Sequence, residues 1–270
     1  DLIDIFYNPT EKTVSTEITL TSDMNFSGRA FSPLGSVLGK VCVPYSGTLH
    51  GNGHHIKNIV VSTFPEYMGL FCSLKNARIE NLVFDSSCFF RGFNAGSLGV
   101  NVTGSLKLTN VTINANVTGN GYIGGFIGTV ADIDNESSLE FENCLSAGKV
   151  QSSEWYAGGF IGSIRNNTNT SIIFSNSMST AYVHGNKSTG GFVAATENNT
   201  NVSFAVSSST TNGIVIGVDV HVGGFIGNIY RNKDINMAFY DCMGNGSATG
   251  IQNVGGFMGH IYGNTNIDLF

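Results

Sequence analysis

Charge is scarce in this 270-residue chain: Asp, Glu, Lys and Arg together supply 12% of it, against the ~25% common in soluble domains. That excludes a coiled coil, which depends on Ala, Glu, Lys, Leu and Arg. The formal net charge is −6 and no basic stripe exists, so nucleic-acid binding is not expected. No run of 18 apolar residues occurs, so no membrane-spanning helix is expected in this segment. Asp1 to Asn8 show neither the basic nor the apolar part of a secretory leader. There are 5 cysteines (Cys42, Cys72, Cys88, Cys144 and Cys242), with no CxxC and no zinc-like spacing. A disulfide scaffold is therefore not expected, and the one bridge the spacing suggests, in an oxidising compartment, joins Cys72 to Cys88. No HExxH is present, which rules out a zincin peptidase within the chain. No glycine-rich loop precedes a helix, so a nucleotide loop is not expected either, and no cofactor is implied.

What is abundant is glycine (35 residues), phenylalanine (19) and asparagine (30). With 41% hydrophobic residues the chain is too apolar for disorder. The dominant signal is a repeat. Gly-Gly-Phe recurs with its ring at Phe126, Phe160, Phe192, Phe225 and Phe257, at spacings of 34, 32, 33 and 32. A second element follows the first four rings, beginning at Phe141, Phe174, Val206 and Phe239. It starts 14 residues after the ring in three units and 15 in the first, which holds one extra residue.

A polar stretch lies between the two elements. Seven residues after the ring stand Asn167, Asn199, Asn232 and Asn264, and nine after it Asn169, Asn201, Asp234 and Asn266. Stacked in register, such residues would lie ~4.8 Å apart. The seventh position fits either an internal amide ladder or a row of exposed turn residues that tolerate the left-handed conformation. The ninth is expected to be exposed. Period-2 segments such as Ser171–Phe174 read as strands, and no segment shows capped helical periodicity. Glycine content and missing helix formers exclude ankyrin and tetratricopeptide repeats. The expected fold is all-β: a parallel β-helix (β-solenoid) with coils of about 33 residues. Residues 1–92 form an N-terminal lead-in with a GTLHGNGH hairpin, and residues 93–270 the GGFIG repeat solenoid. The sequence stops at Phe270, where the next second element should start, and this reads as a piece of a longer protein.

There are eleven N-x-S/T sequons, at Asn25, Asn101, Asn110, Asn116, Asn135, Asn166, Asn169, Asn186, Asn198, Asn201 and Asn245. Composition alone would give about six. The excess favours a secreted eukaryotic glycoprotein carrying N-linked glycans over a merely Asn-rich chain.

The N-terminal region adds a phrase of its own. Gly47-Thr48-Leu49-His50-Gly51-Asn52-Gly53-His54-His55-Ile56-Lys57-Asn58 is followed by Gly69-Leu70-Phe71-Cys72 and Ala77-Arg78-Ile79-Glu80-Asn81-Leu82, and later by Asn143-Cys144 to Val150 with its GGFIG. This resembles the GLUG-motif surface proteins over roughly residues 16–270. The resemblance implies a β-helical, extracellular, adhesin-like or stalk-like region. It also implies a setting in bacterial adhesins, in regions next to immunoglobulin-cleaving metallopeptidases, or in protist surface proteins. The Asn-rich turns and sequons depart from the bacterial pattern and point to a protist. The family offers no catalytic residues to carry over.

Other chemistry is weakly encoded. His50, His54 and His55 could suggest a metal, but Gly51-Asn52-Gly53 reads as a tight turn and the histidines as structural. Polysaccharide cleavage needs a paired acid and base. The nearest clusters, Asp132/Asp134/Glu136 and Glu140/Glu142, are not echoed in the next coils, which offer Arg165, Glu197 and Arg231 and read as solvated turns. Tyr230, Tyr262 and Trp155 could stack on sugars, though tryptophan occurs only once. The reading is a non-catalytic extracellular or cell-surface segment, an adhesin-like stalk or binding module. Its partners would be protein or glycan surfaces, or copies of itself. The alternatives are a structural subunit of an extracellular filament or coat and, less favoured, a polysaccharide-active enzyme.

Overall fold

The computed structural model describes residues 15–29, 31–37, 41–61, 66–219 and 221–270. Asp1 to Asn8, read above for a leader, lie outside the described residues. The chain is all-β, with parallel coils stacked into a solenoid of about 8 turns of about 32 residues each. One coil shows the plan. Ile127–Ala131 lies in one sheet, Ser137–Glu142 and Leu145–Ser146 in a second, Lys149–Ser152 in a third and Tyr156–Gly158 in a fourth. The next coil repeats it, and register is kept rung by rung: Ile127 pairs with Ile161, Ile161 with Val193, Val193 with Ile226 and Ile226 with Met258. Among the described strands one pairing is antiparallel, Ser36–Val37 with Val41–Cys42.

Period-2 alternation sets the inside. In Thr168–Ser175, Thr170, Ile172 and Phe174 are buried while Ser171, Ile173 and Ser175 are partly exposed. Corners need a backbone that turns without losing its ladder. Asn81, Asn110, Asn143 and Asn176 supply one corner in successive coils, with φ between 48° and 54°. Asparagine tolerates this left-handed region because its short side chain can bond locally. The Gly-Gly pair has a steric cause: a Cβ on Gly159 would lie 2.0 Å from the carbonyl oxygen of Gly191 in the next coil.

Two side-chain columns bind the coils. Phe126, Phe160, Phe192, Phe225 and Phe257 stack with centroids 4.6, 4.6, 4.9 and 4.2 Å apart. Phe141 and Phe174 stack in a second column, centroids 4.5 Å apart, edge-on to the first. The seventh-position asparagines form an internal ladder. From Asn199 on, each amide oxygen accepts two bonds from the coil before it: Asn199 Oδ1 takes the backbone N–H and the Nδ2 of Asn167, both at 3.0 Å. Asn199 Nδ2 in turn donates to Asn232 Oδ1 at 2.9 Å and to the Ile164 carbonyl at 3.0 Å. Asn167, Asn199 and Asn232 are thus buried with their amides satisfied. At the ninth position Asn169, Asn201 and Asn266 are exposed, as expected, and Asp234 is partly so; all four are left-handed, and Asn201 donates to Asn169 at 2.6 Å.

Two expectations are corrected. Thr48–His50 and His55–Lys57 do not form a hairpin; both run parallel to Ala77–Phe84, end to end along it. The intervening turn holds two residues more than the corner at Asn81, because His50 faces Glu80 while His55 faces Val83. The disulfide joins Cys72 to Cys42, not to Cys88. Cys72 and Cys42 are 30 residues apart, one coil, so they stack as neighbours. Cys72 and Cys88 differ by half a coil and lie in different walls, and Cys88 is a buried free thiol whose Sγ reaches the Ile56 carbonyl.

Candidate functional site

Just after Tyr156–Gly158 the chain folds back through Gly159-Phe160 into Ile161–Arg165. Repeated in every coil, this bend sets the outer faces of two sheets against each other and leaves a groove along the stack. One wall carries, coil by coil, Tyr67, Asn94, Tyr122, Tyr156, Ser188 and His221. The other carries Ala131, Arg165, Glu197, Tyr230 and Tyr262. Residues from both walls enclose a cleft of about 460 Å³ around Tyr67, Tyr122 and Arg165, and one of about 380 Å³ around Tyr156, His221 and Tyr262.

A polar network joins the walls. The Arg165 guanidinium lies 4.6 Å from the centre of the Tyr122 ring, and its Nη1 donates to the Tyr122 hydroxyl at 3.0 Å. The Tyr156 and Tyr230 hydroxyls meet across the groove at 3.4 Å. Tyr230 donates to Glu197, which also receives the Ser163 hydroxyl at 3.4 Å. Glu197 is 6% exposed, so the solvated-turn reading of Arg165 and Glu197 fails: both belong to the groove wall. Trp155 packs edge-on to Tyr122 at 5.1 Å, and Lys187 Nζ sits 5.1 Å from its ring centre. Burial pushes the Tyr122 phenol up to about 12 and raises Tyr156 and Tyr230 as well, so these hydroxyls stay protonated donors at neutral pH. Further along, His221 and His260 stack at 4.3 Å, and burial, then the neighbouring His260 charge, lowers the His221 pKa.

The sequons lie mainly elsewhere. Asn25, Asn110, Asn135, Asn166, Asn169, Asn198, Asn201 and Asn245 are exposed, while Asn101, Asn116 and Asn186 are half-buried. Asn101 lines the larger groove cleft. A shallow cleft of about 520 Å³ on another face is lined by hydroxyls together with Glu136, Asn169 and Asn201 and offers no aromatic ring. In the lead-in His50 serves as a structural tie, bridging Glu80 at 2.6 Å and Glu17 at 2.8 Å. The Glu80 bond, then desolvation and the Glu17 bond, determine a net rise in the His50 pKa. No cluster of His, Cys, Asp or Glu suited to a metal occurs among the described residues. Glu140 is tied to Lys107 at 2.7 Å.

Sequence reading named Tyr230, Tyr262 and Trp155 but missed Tyr122 and Tyr156 and the groove that joins them. The signal was present. Counting back four residues from each repeat ring gives Tyr122, Tyr156, Ser188, His221 and Asn253, and counting five forward gives the opposite wall. What sequence could not supply is the fold-back that brings the two counts face to face.

No known family profile matches the chain. Over 118 residues, 43% of this chain, it is 30% identical to Halomucin of Haloquadratum walsbyi, and it spans 1% of that protein. In structure it resembles a Bacteroides ovatus protein provisionally described as an immunoglobulin A1 protease. The TM-score is 0.51 at 15% identity, over 93% of this chain and 78% of that one, and the likeness is one of fold. Among the described residues no helix is long and apolar enough to cross a membrane.

Proposed function

We propose that this segment is a non-catalytic, extracellular, adhesin-like β-solenoid whose lateral groove holds a glycan chain. The observation that carries this reading is the groove: Tyr67, Tyr156, Tyr230, His221 and Tyr262 set rings with polar tips along it, and a single sequon, Asn101, lines its clefts. Tyrosine suits sugars because its face covers apolar C–H surface while its hydroxyl bonds to sugar hydroxyls. A repeating groove matches a repeating polymer. The resemblance to GLUG-motif surface proteins and the partial likeness to Halomucin agree with an extracellular setting, as do the exposed sequons.

Glycoside cleavage needs a second carboxylate positioned across the scissile bond. Glu197 is instead held by two hydroxyls, and Glu140 by a lysine. The test is a glycan array probed with the folded chain, followed by incubation of any ligand found. Binding without cleavage is expected. Failure to bind any glycan would refute the binding reading, and release of shortened glycan would refute the non-catalytic one.

A further inference from the structure

The cleft around Arg165 has a chemistry of its own. Among the described residues the Arg165 guanidinium makes one hydrogen bond, to the Tyr122 hydroxyl, and no ion pair. Its partner in the next coil, Glu197, turns to Tyr230 and Ser163 instead. Arginine held against an aromatic face keeps its planar fork oriented, and that fork matches a carboxylate with two parallel bonds. Tyr67, 50% exposed, offers a second ring on the same cleft. Ser73 and Thr103 line it with hydroxyls. Asp132, on the rim, accepts from Asn166 at 3.2 Å and is exposed, so water screens its charge from an incoming anion. The volume of about 460 Å³ lies within the range of small-ligand sites.

Building on the glycan reading, we infer that this cleft is an acidic-sugar subsite: Arg165, held on the buried Tyr122 ring, takes the carboxylate of a uronic or sialic acid residue while the half-exposed Tyr67 covers the sugar ring. The groove then has a polarity. Its N-terminal cleft anchors a charged residue, and the tyrosine and histidine rows beyond it hold the rest of the chain.

Titration calorimetry on the folded chain tests this, with tetragalacturonate and sialyllactose against their neutral methyl esters. One acidic ligand is expected to bind at least about tenfold more tightly than its neutral counterpart. Which one does so identifies the source of the carboxylate. Arg165→Gln removes that preference, and Arg165→Lys restores part of it, because the charge returns without the fork. Tyr122→Phe keeps the ring and loses the hydroxyl that orients the guanidinium, with an expected loss of about threefold. Circular dichroism melts confirm that each variant folds. Equal binding of acidic and neutral ligands, or an acidic preference that survives Arg165→Gln, overturns the subsite and leaves the glycan reading standing. No binding of either class overturns the subsite, and an array with no glycan bound overturns the glycan reading as well.

Discussion

The first coils and the later ones hold together by different means. In the early coils, from Leu49 to Val102, the rungs are short: Ile79 pairs with Leu108, 29 residues on, and Gly99 with Ile127, 28 on. There, specific ties dominate: the Cys42–Cys72 disulfide, the Glu17–His50–Glu80 bridge, and Lys57 on Asp23 at 2.6 Å. Beyond Tyr122 the rungs lengthen, and Ile127 pairs with Ile161, 34 on. Ties give way to ladders of like side chains, with rings on rings and amides on amides. The column that holds Phe126 onward holds Leu70 and Leu98 before it. The lesson is that a regular repeat lets identical residues satisfy one another, while irregular coils need partners chosen pair by pair.

Mutations can break this contrast. The largest effect is expected for Phe160→Ala, in the middle of the ring stack, at about 3–5 kcal/mol of stability. Phe160→Leu, the residue type the early coils use there, should cost only about 1 kcal/mol, because it gives up ring stacking more than volume. Thermal and denaturant melts separate the two. Reducing or replacing Cys42 and Cys72 should lower stability by about 2–4 kcal/mol, and in hydrogen exchange the loss should concentrate in the early coils. Asn199→Ala strips the acceptor from Asn167 and the donor from Ile164, and about 2–3 kcal/mol is expected, localised to the neighbouring coils.

The smallest effect is in pH, and its sign differs between the regions. The net upward shift of the His50 pKa is set first by its bond to Glu80, opposed by desolvation and aided by Glu17, so its stabilisation is complete below the ordinary histidine value and fades as pH rises through the shifted one. His221 is buried beside His260 and its pKa is lowered, so its contribution is present above the ordinary value and fades as pH falls. Acidification from neutral pH should therefore firm the early coils and loosen the late ones, read as opposite changes in amide exchange. His50→Gln and His221→Gln should each flatten the change in its own region only.

Much of the fold was legible because its signal is arithmetic. The spacing of Phe126 through Phe257 gives the coil, and the glycines before each ring give the close approach. The seventh-position asparagines needed the structure, since only stacking shows whether an amide points in. The disulfide was misplaced because sequence proximity was weighed above coil register. The sequon excess has a structural component as well. Asn110, Asn166, Asn169, Asn198 and Asn201 all sit at left-handed corners, where the backbone selects asparagine, and strands rich in Ser and Thr follow. At four of them, Asn110, Asn166, Asn169 and Asn201, the side chain already bonds a stacked neighbour, as Asn110 does to Asn81 at 2.9 Å. The groove was missed because its walls stand on either side of the Gly-Gly-Phe bend, in strands of different sheets that only the fold-back sets face to face.

The most direct test of the binding account is hydrogen exchange of the folded chain with and without a bound glycan from the array. The account predicts slowed exchange in Tyr122–Gly124, Tyr156–Gly158 and Ile161–Arg165, the strands that line the groove, and none in the sequon-bearing turns around Asn169 and Asn201. Slowing confined to those turns, or to the hydroxyl-lined face beside them, would place the ligand elsewhere and contradict the groove as the binding site.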